Sequence, residues 1–280
     1  MDYLTYLFSI PDLSAVSLLT LFVLTLFRMA PIVRLAPFLG AKLIPTTARM
    51  GMVIVLSLIF LPNIVAHSPH NMTFNMVFVG YAFKELLIGF ALGLFAAIPF
   101  FIASSAGIYI DFMRGSSSLM QQDITMQQQA SPIGIVYNFI LIVMYYHLNG
   151  PFLFFEALLK SYELIPPNMW INAKFFSLNA PFWKTGIDFL NHVVDISLRI
   201  AAPALVAVLM AELFLGIANR MAPQVQIAFL GMALKSLVGI LLLWAGWFFI
   251  LKQTGNQAIE WTHKIDQLIQ SMKPFLIKGS

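Results

Sequence analysis

The chain has 280 residues, of which 60% are hydrophobic and 10% charged, with a net charge of +4 and no cysteine. A soluble domain carries about 25% charged residues, so this composition excludes an ordinary water-soluble protein and requires cover by lipid or by other protein. The missing cysteines exclude disulfides, thiolate zinc sites and thiol catalysis. No run of Lys or Arg indicates a nucleic-acid partner.

The apolar runs predict an all-α, polytopic membrane protein of long, kinked helices and helical hairpins, because a span needs about 20 apolar residues. In chain order the predicted helices cover 14–34, 46–66, 76–110, 133–147, 152–162, 183–218 and 224–252, followed by a more polar helix over 256–272. The runs 76–110 and 183–218 exceed one membrane thickness. We therefore expect them to bend, or to form hairpins, at Pro99 and Pro203.

This pattern divides the chain into an apolar helical domain over 1–255 and a C-terminal amphipathic helix and tail over 256–280. In the last segment Trp261, Ile265, Leu268 and Ile269 share one helix face. Such a face suits a membrane surface or a docking partner.

Several charged residues interrupt the apolar runs. Asp195 and Arg199 are spaced i,i+4 on one helix face, which predicts a buried charge pair. Lys84 and Glu85 are adjacent and point about 100° apart on a helix, so we expect each to have a different partner. At the bilayer centre each charge costs about 2.5–3.5 kcal/mol, which indicates that several helix faces meet protein or water.

The sequence contains no recognisable catalytic set, paired carboxylates, phosphate loop or metal-ligand spacing, so we expect neither an enzyme nor a cofactor. Asp188, His192 and Asp195 lie one turn apart and fit either an intramembrane proton relay or a helix interface with satisfied polar groups. We favour the interface.

The segment GIYIDFMRGSSSLMQQDITMQQQASPIG, residues 107–134, is a polar stretch between two apolar helices. Serine and glutamine fit a flexible loop in solvent. Its methionines, however, are unbranched and adaptable, and they suit a surface that must seal and then repack. A loop of this composition can also close a pore and yield.

Four segments carry a resemblance to a known family. They are FRMAPIVRLAPFLGAKLIPTTARMG at 27–51, GIYIDFMRG followed by Asp123 and a Ser-Pro-x-Gly sequence, Leu-Asn-Gly at 148–150, and LRIAAPALVAVLMAELFLGIANRMAPQVQIAFLG at 198–231. Together they resemble the T subunit of the type III secretion export gate, the injectisome relative of the flagellar R export proteins. Ile110-Asp111 with Arg114-Gly115 resembles the injectisome branch more closely.

The resemblance implies a non-enzymatic core subunit, present in one copy, that forms part of the pore through which unfolded effector and needle proteins pass. Its implied partners are export-gate subunits of the R and S types, the U-type switch subunit, secreted proteins in transit and membrane lipid. Its implied location is the bacterial inner membrane at the base of the secretion apparatus, partly raised toward the periplasm.

The resemblance also assigns roles to residues. On this basis we expect Asp111, Arg114 and Pro132 to anchor a pore plug, and Arg220, Pro223 and Gln224 to contact another subunit. The plug itself comprises Gly115, Ser116, Leu119, Met120, Gln121, Gln122, Asp123, Met126 and Gln127. The stretch 123–129 is richer in glutamine than the family pattern. The resemblance therefore does not decide which of these residues seal the pore.

An alternative hypothesis is a polytopic secondary transporter for a small solute. It would place Lys84, Glu85, Asp195, Arg199 and Glu212 at a site near the bilayer midplane.

Overall fold

A computed structural model describes residues 14–40, 44–68, 74–115, 131–170, 181–221, 227–245 and 247–271. These residues form α-helices, one short 3-10 helix at Pro37–Leu39 and no strand, which confirms the all-α prediction. The α-helices are α1 (Ala15–Leu35), α2 (Thr46–His67), α3 (Met76–Met113), α4 (Pro132–His147), α5 (Gly150–Leu164), α6 (Pro181–Met221), α7 (Ile227–Ala245) and α8 (Trp247–Ser271).

Within the described residues, four helices are long and apolar enough to cross a membrane: α1, α2, α3 and the Trp183–Met221 part of α6. The two longest runs each form one continuous helix with Pro99 or Pro203 inside it. The hairpins considered for these runs do not form, because one proline removes a single backbone hydrogen bond and the helix continues on both sides.

The chain divides into two compact units. Unit 1 contains Met1–Ala97, Asn149–Asp188 and Glu260–Ser280, and unit 2 contains Ile98–Leu148 and Phe189–Ile259. The core of unit 1 includes a cluster contributed by α1, α2 and α3: Leu21, Leu24, Leu61, Val65 and Ala82.

The C-terminal helix differs from its prediction in extent and in the role of its apolar face. Its described residues, Trp247–Ser271, include the last part of the predicted helix over 224–252. Trp261, Ile265 and Leu268 are each at most 2% exposed, so the apolar face is covered by the chain itself. The expectation that this face lies on a membrane surface or on a partner is therefore wrong for these residues.

Candidate functional site

Two distant parts of the chain meet where α3 ends and α4 begins. The Asp111 carboxylate at the end of α3 accepts hydrogen bonds from the Ser131 hydroxyl at 2.5 Å and from the Ile133 backbone N–H at 2.9 Å. The Ser131 hydroxyl in turn accepts from the Gly134 N–H at 2.9 Å, which caps α4. Pro132 occupies the first turn of α4, where a missing N–H costs nothing.

Arg114 completes this group, which we call the loop clasp: Asp111, Arg114, Ser131 and Pro132. The Arg114 guanidinium lies 3.1 Å from the second Asp111 oxygen, and both side chains are largely buried. The aliphatic part of Arg114 passes over Gly239 of α7, where an added Cβ would be 2.5 Å from the Arg114 Cδ. The clasp therefore joins three helices of unit 2.

The helices that carry the clasp touch backbone to backbone. An added Cβ at Gly107 of α3 would overlap the backbone of Gly134 in α4. After Met113 the chain turns through Gly115, whose φ of 80° is one that glycine adopts readily. The contact and the clasp together hold the two ends of segment 116–130 side by side.

The structure brings together the residues predicted to anchor the plug, which are Asp111, Arg114 and Pro132. Gly115 lies in the turn at the start of the segment. The other plug residues lie outside the described residues: Ser116, Leu119, Met120, Gln121, Gln122, Asp123, Met126 and Gln127.

The predicted subunit-contact residues are only partly described. Arg220 is exposed in the last turn of α6, whereas Pro223 and Gln224 lie outside the described residues. Asp195 and Arg199 do pair, with 3.0 Å between carboxylate and guanidinium, but their side chains are 52% and 77% exposed. The chain's own packing leaves this face of α6 uncovered, so burial of the pair stays a prediction that depends on a neighbouring molecule.

The buried charges of unit 1 lie instead in a group that we call the ion cluster: Arg28, Lys84 and Glu85. The Arg28 guanidinium donates to both Glu85 oxygens, at 2.5 and 2.9 Å, and both residues are fully buried. The Lys84 ammonium also contacts Glu85, at 2.8 Å. Glu85 and Lys84 thus have different partners, as expected, because Glu85 pairs with Arg28 and Lys84 donates to backbone carbonyls. The lysine side chain is also long enough to reach its neighbour, which was not expected.

The two cations of the ion cluster also hold the end of α5. Arg28 donates to the Ile165 carbonyl at 2.7 Å, and Lys84 donates to the carbonyls of Pro166, Pro167 and Met169 at 2.9–3.0 Å. These carbonyls follow the last turn of α5 and have no helical N–H to bind.

Sequence reasoning identified Lys84 and Glu85 as unusual but missed Arg28 and the carbonyl acceptors. The available signal was Arg28, inside the largely apolar α1, and Glu85, inside the largely apolar α3. In the described part of the chain no group of three or more His, Asp or Glu side chains is placed to bind a metal ion.

Comparison with known proteins identifies the group to which this architecture belongs. The sequence profile described as "Bacterial export proteins, family 1" matches residues 19–260. The chain belongs to this family. The resemblance to the T and R export subunits is thereby confirmed, and the chain is a bacterial export protein with membrane-type helices.

Individual relatives come from both branches of the family. The Yop proteins translocation protein T of Yersinia pestis is 31% identical over 84% of this chain and 88% of its own length. The secretion system apparatus protein SsaT of Salmonella typhimurium is 26% identical over 73% of this chain and 76% of its own length. The flagellar biosynthetic protein FliR of Aquifex aeolicus is 26% identical over 89% of this chain and 94% of its own length.

Proposed function

We propose that this chain is a non-enzymatic core subunit of a type III protein secretion export gate. In this proposal it forms part of the pore for unfolded effector and needle proteins, and the segment after Gly115 plugs that pore at rest. Its partners are export-gate subunits of the R and S types, the U-type switch subunit, the proteins in transit and lipid. It lies in the bacterial inner membrane at the base of the apparatus, partly raised toward the periplasm.

The loop clasp is the observation that carries the plug proposal. Asp111 binds Ser131 and Ile133 across the base of segment 116–130, so both ends of the segment are fixed at one place. A segment fixed in this way can leave and re-occupy a pore while α3 and α4 stay together. Its serines, glutamines and methionines can satisfy polar groups and fill space without a permanent charge.

The transporter hypothesis finds less support, because its candidate charges form three separate groups. Lys84 and Glu85 belong to the ion cluster of unit 1. In unit 2, Asp195 pairs with Arg199, and Glu212 of α6 pairs with Lys235 of α7. Each group has its own counter-charge, so no shared solute site follows from them.

Removal of residues 116–129 tests the plug. We expect the shortened chain to assemble, since the clasp residues remain, and to make the membrane conduct ions while the apparatus is idle. The measurement is ion conductance of cells or planar bilayers that contain the assembled complex. The matched control replaces the same residues with a Gly-Ser stretch of equal length, which keeps the loop and removes Met120 and Met126. If the deletion leaves conductance at the parent level, the segment is not a plug.

A further inference from the structure

One face of α6 carries a regular stripe that the chain itself leaves uncovered. Alternating steps of four and three residues lead from Asp195 through Arg199 and Val206 to Leu213 and finally Arg220, and every position reached in this way is exposed. We call this stripe the α6 seam. Val206 is 55% exposed and Leu213 62%, whereas Val208 on the opposite face is fully buried.

The alternating four-and-three spacing is the pattern by which two α-helices interlock their side chains along a shared line. The middle of the seam is apolar and includes the small residues Ala202 and Gly216. A Cβ added at Gly216 would have nothing within 4 Å. Small residues on such a line let a second helix approach closely.

Lipid is a poor occupant for this face. Glu212 lies beside the middle of the seam and is paired with Lys235, and its side chain is still 42% exposed. The Asp195–Arg199 pair is exposed at one end of the seam. A charged side chain facing hydrocarbon at mid-span costs about 2.5–3.5 kcal/mol, whereas a protein neighbour can offer polar groups.

A second copy of this chain is also a poor occupant. Two copies inserted with the same orientation present α6 in parallel, and a two-fold axis then sets each seam residue against its own counterpart. Asp195 would face Asp195, Arg199 would face Arg199 and Arg220 would face Arg220. Like charges in such positions destabilise the pairing of two identical helices.

We infer that the α6 seam is the docking face for an α-helix of a different export-gate subunit. That helix is apolar along its middle and carries a carboxylate opposite Arg220, since Asp195 and Arg199 neutralise each other and leave the seam one net positive charge. This inference rests on the proposed function, because it requires a multi-subunit assembly. It goes further by naming the surface and the chemistry of the partner.

Site-specific photo-crosslinking in cells that assemble the complete apparatus tests the seam. A photoreactive benzoylphenylalanine replaces Leu213 in one variant and Phe214 in the other. The two native side chains are similarly exposed, at 62% and 66%, but they point about 100° apart on the helix. We expect position 213 to form an adduct with another export-gate subunit, identified by mass spectrometry, in several-fold higher yield than position 214.

Three other outcomes would overturn the inference. Adducts at position 213 with lipid alone, adducts with a second copy of this chain, or equal yields at both positions each contradict a seam for a different subunit. The same preparation shows whether the parent chain co-purifies with other subunits. If the parent chain co-purifies with other subunits and the crosslink fails, the inference about the α6 seam is wrong and the proposed function stands. If the parent chain purifies alone, the inference and the proposed function are both wrong.

A size series at Gly216 gives an independent test. In this chain the leucine of Gly216→Leu extends into open space. We therefore expect the substitution not to lower the melting temperature of the isolated chain. On the seam the same leucine blocks the approach of a partner helix, so we expect a several-fold loss of co-purified subunits. Gly216→Ala, with its small side chain, keeps most of them. Equal recovery for the leucine and alanine variants would contradict the inference.

Discussion

The ion cluster explains how unit 1 keeps three charged side chains out of water. Glu85 binds both cations. Beyond the last turn of α5, Arg28 also binds one backbone carbonyl and Lys84 binds three. Carbonyl oxygens carry partial negative charge, so the three carbonyls that Lys84 binds match the second cation. The Arg28 guanidinium also stacks 4.0 Å from the centre of the Tyr162 ring. Irregular backbone that is buried away from water needs such partners.

Glu85→Gln tests the ion cluster at the residue scale. The amide keeps the size of the side chain but removes the only negative charge among the three residues. Breaking a buried ion pair in this way destabilises a protein by about 3–5 kcal/mol. The free energy of unfolding of the detergent-solubilised chain measures the effect.

The matched control for that substitution is Glu156→Gln. Glu156 forms an i,i+4 pair with Lys160, and its side chain is 62% exposed. Exposed pairs of this kind contribute about 0.3–0.5 kcal/mol. If the two variants lose the same stability, the ion cluster does not hold unit 1 together.

At the scale of elements, glycines decide how closely α1 and α3 approach. An added Cβ at Gly89 of α3 would overlap the Arg28 carbonyl oxygen of α1. One turn further, a Cβ at Gly93 would lie 3.1 Å from the Ile32 Cα. This close approach places the Glu85 carboxylate within reach of the Arg28 guanidinium.

Gly89→Ala and Gly51→Ala should therefore change stability in opposite directions. Overpacking at Gly89 costs about 1–3 kcal/mol. Gly51 of α2 has nothing within 4 Å of an added Cβ, so alanine there gains about 0.5–1 kcal/mol from helix propensity. Thermal unfolding of both variants in the same detergent checks the signs, and a stabilised Gly89→Ala would refute the close packing of α1 on α3.

Most helices could be predicted because long apolar runs bounded by Pro, Gly and Asn mark them directly. The partner of Glu85 could not be predicted. Periodicity shows which face of a helix is apolar, but the meeting of Arg28 with Glu85 depends on which two helices touch.

The loop clasp could be predicted only in part. Asp111, Arg114 and Pro132 were singled out through the resemblance and not through their spacing. The structure adds Ser131, Gly107 and Gly239, whose roles depend on contacts between α3, α4 and α7. A small residue leaves no mark in hydropathy, so sequence reasoning had no signal for the two glycines.

At the scale of the whole molecule, much apolar surface stays uncovered by the chain itself. Only 28% of the most apolar window of α2 and 22% of that of α6 are buried within the chain. Charged pairs such as Asp195–Arg199 and Glu212–Lys235 lie on part of this surface. A protein that faced only lipid would gain nothing from exposing them, whereas a subunit of a larger assembly can have them covered by its neighbours.

Native mass spectrometry of the detergent-purified complex, after co-expression with the export-gate subunits proposed as its partners, tests the central claim most directly. We predict a particle that contains one copy of this chain and several copies of its partners. A particle that contains this chain alone, with no partner retained, would contradict the assignment to a multi-subunit export gate.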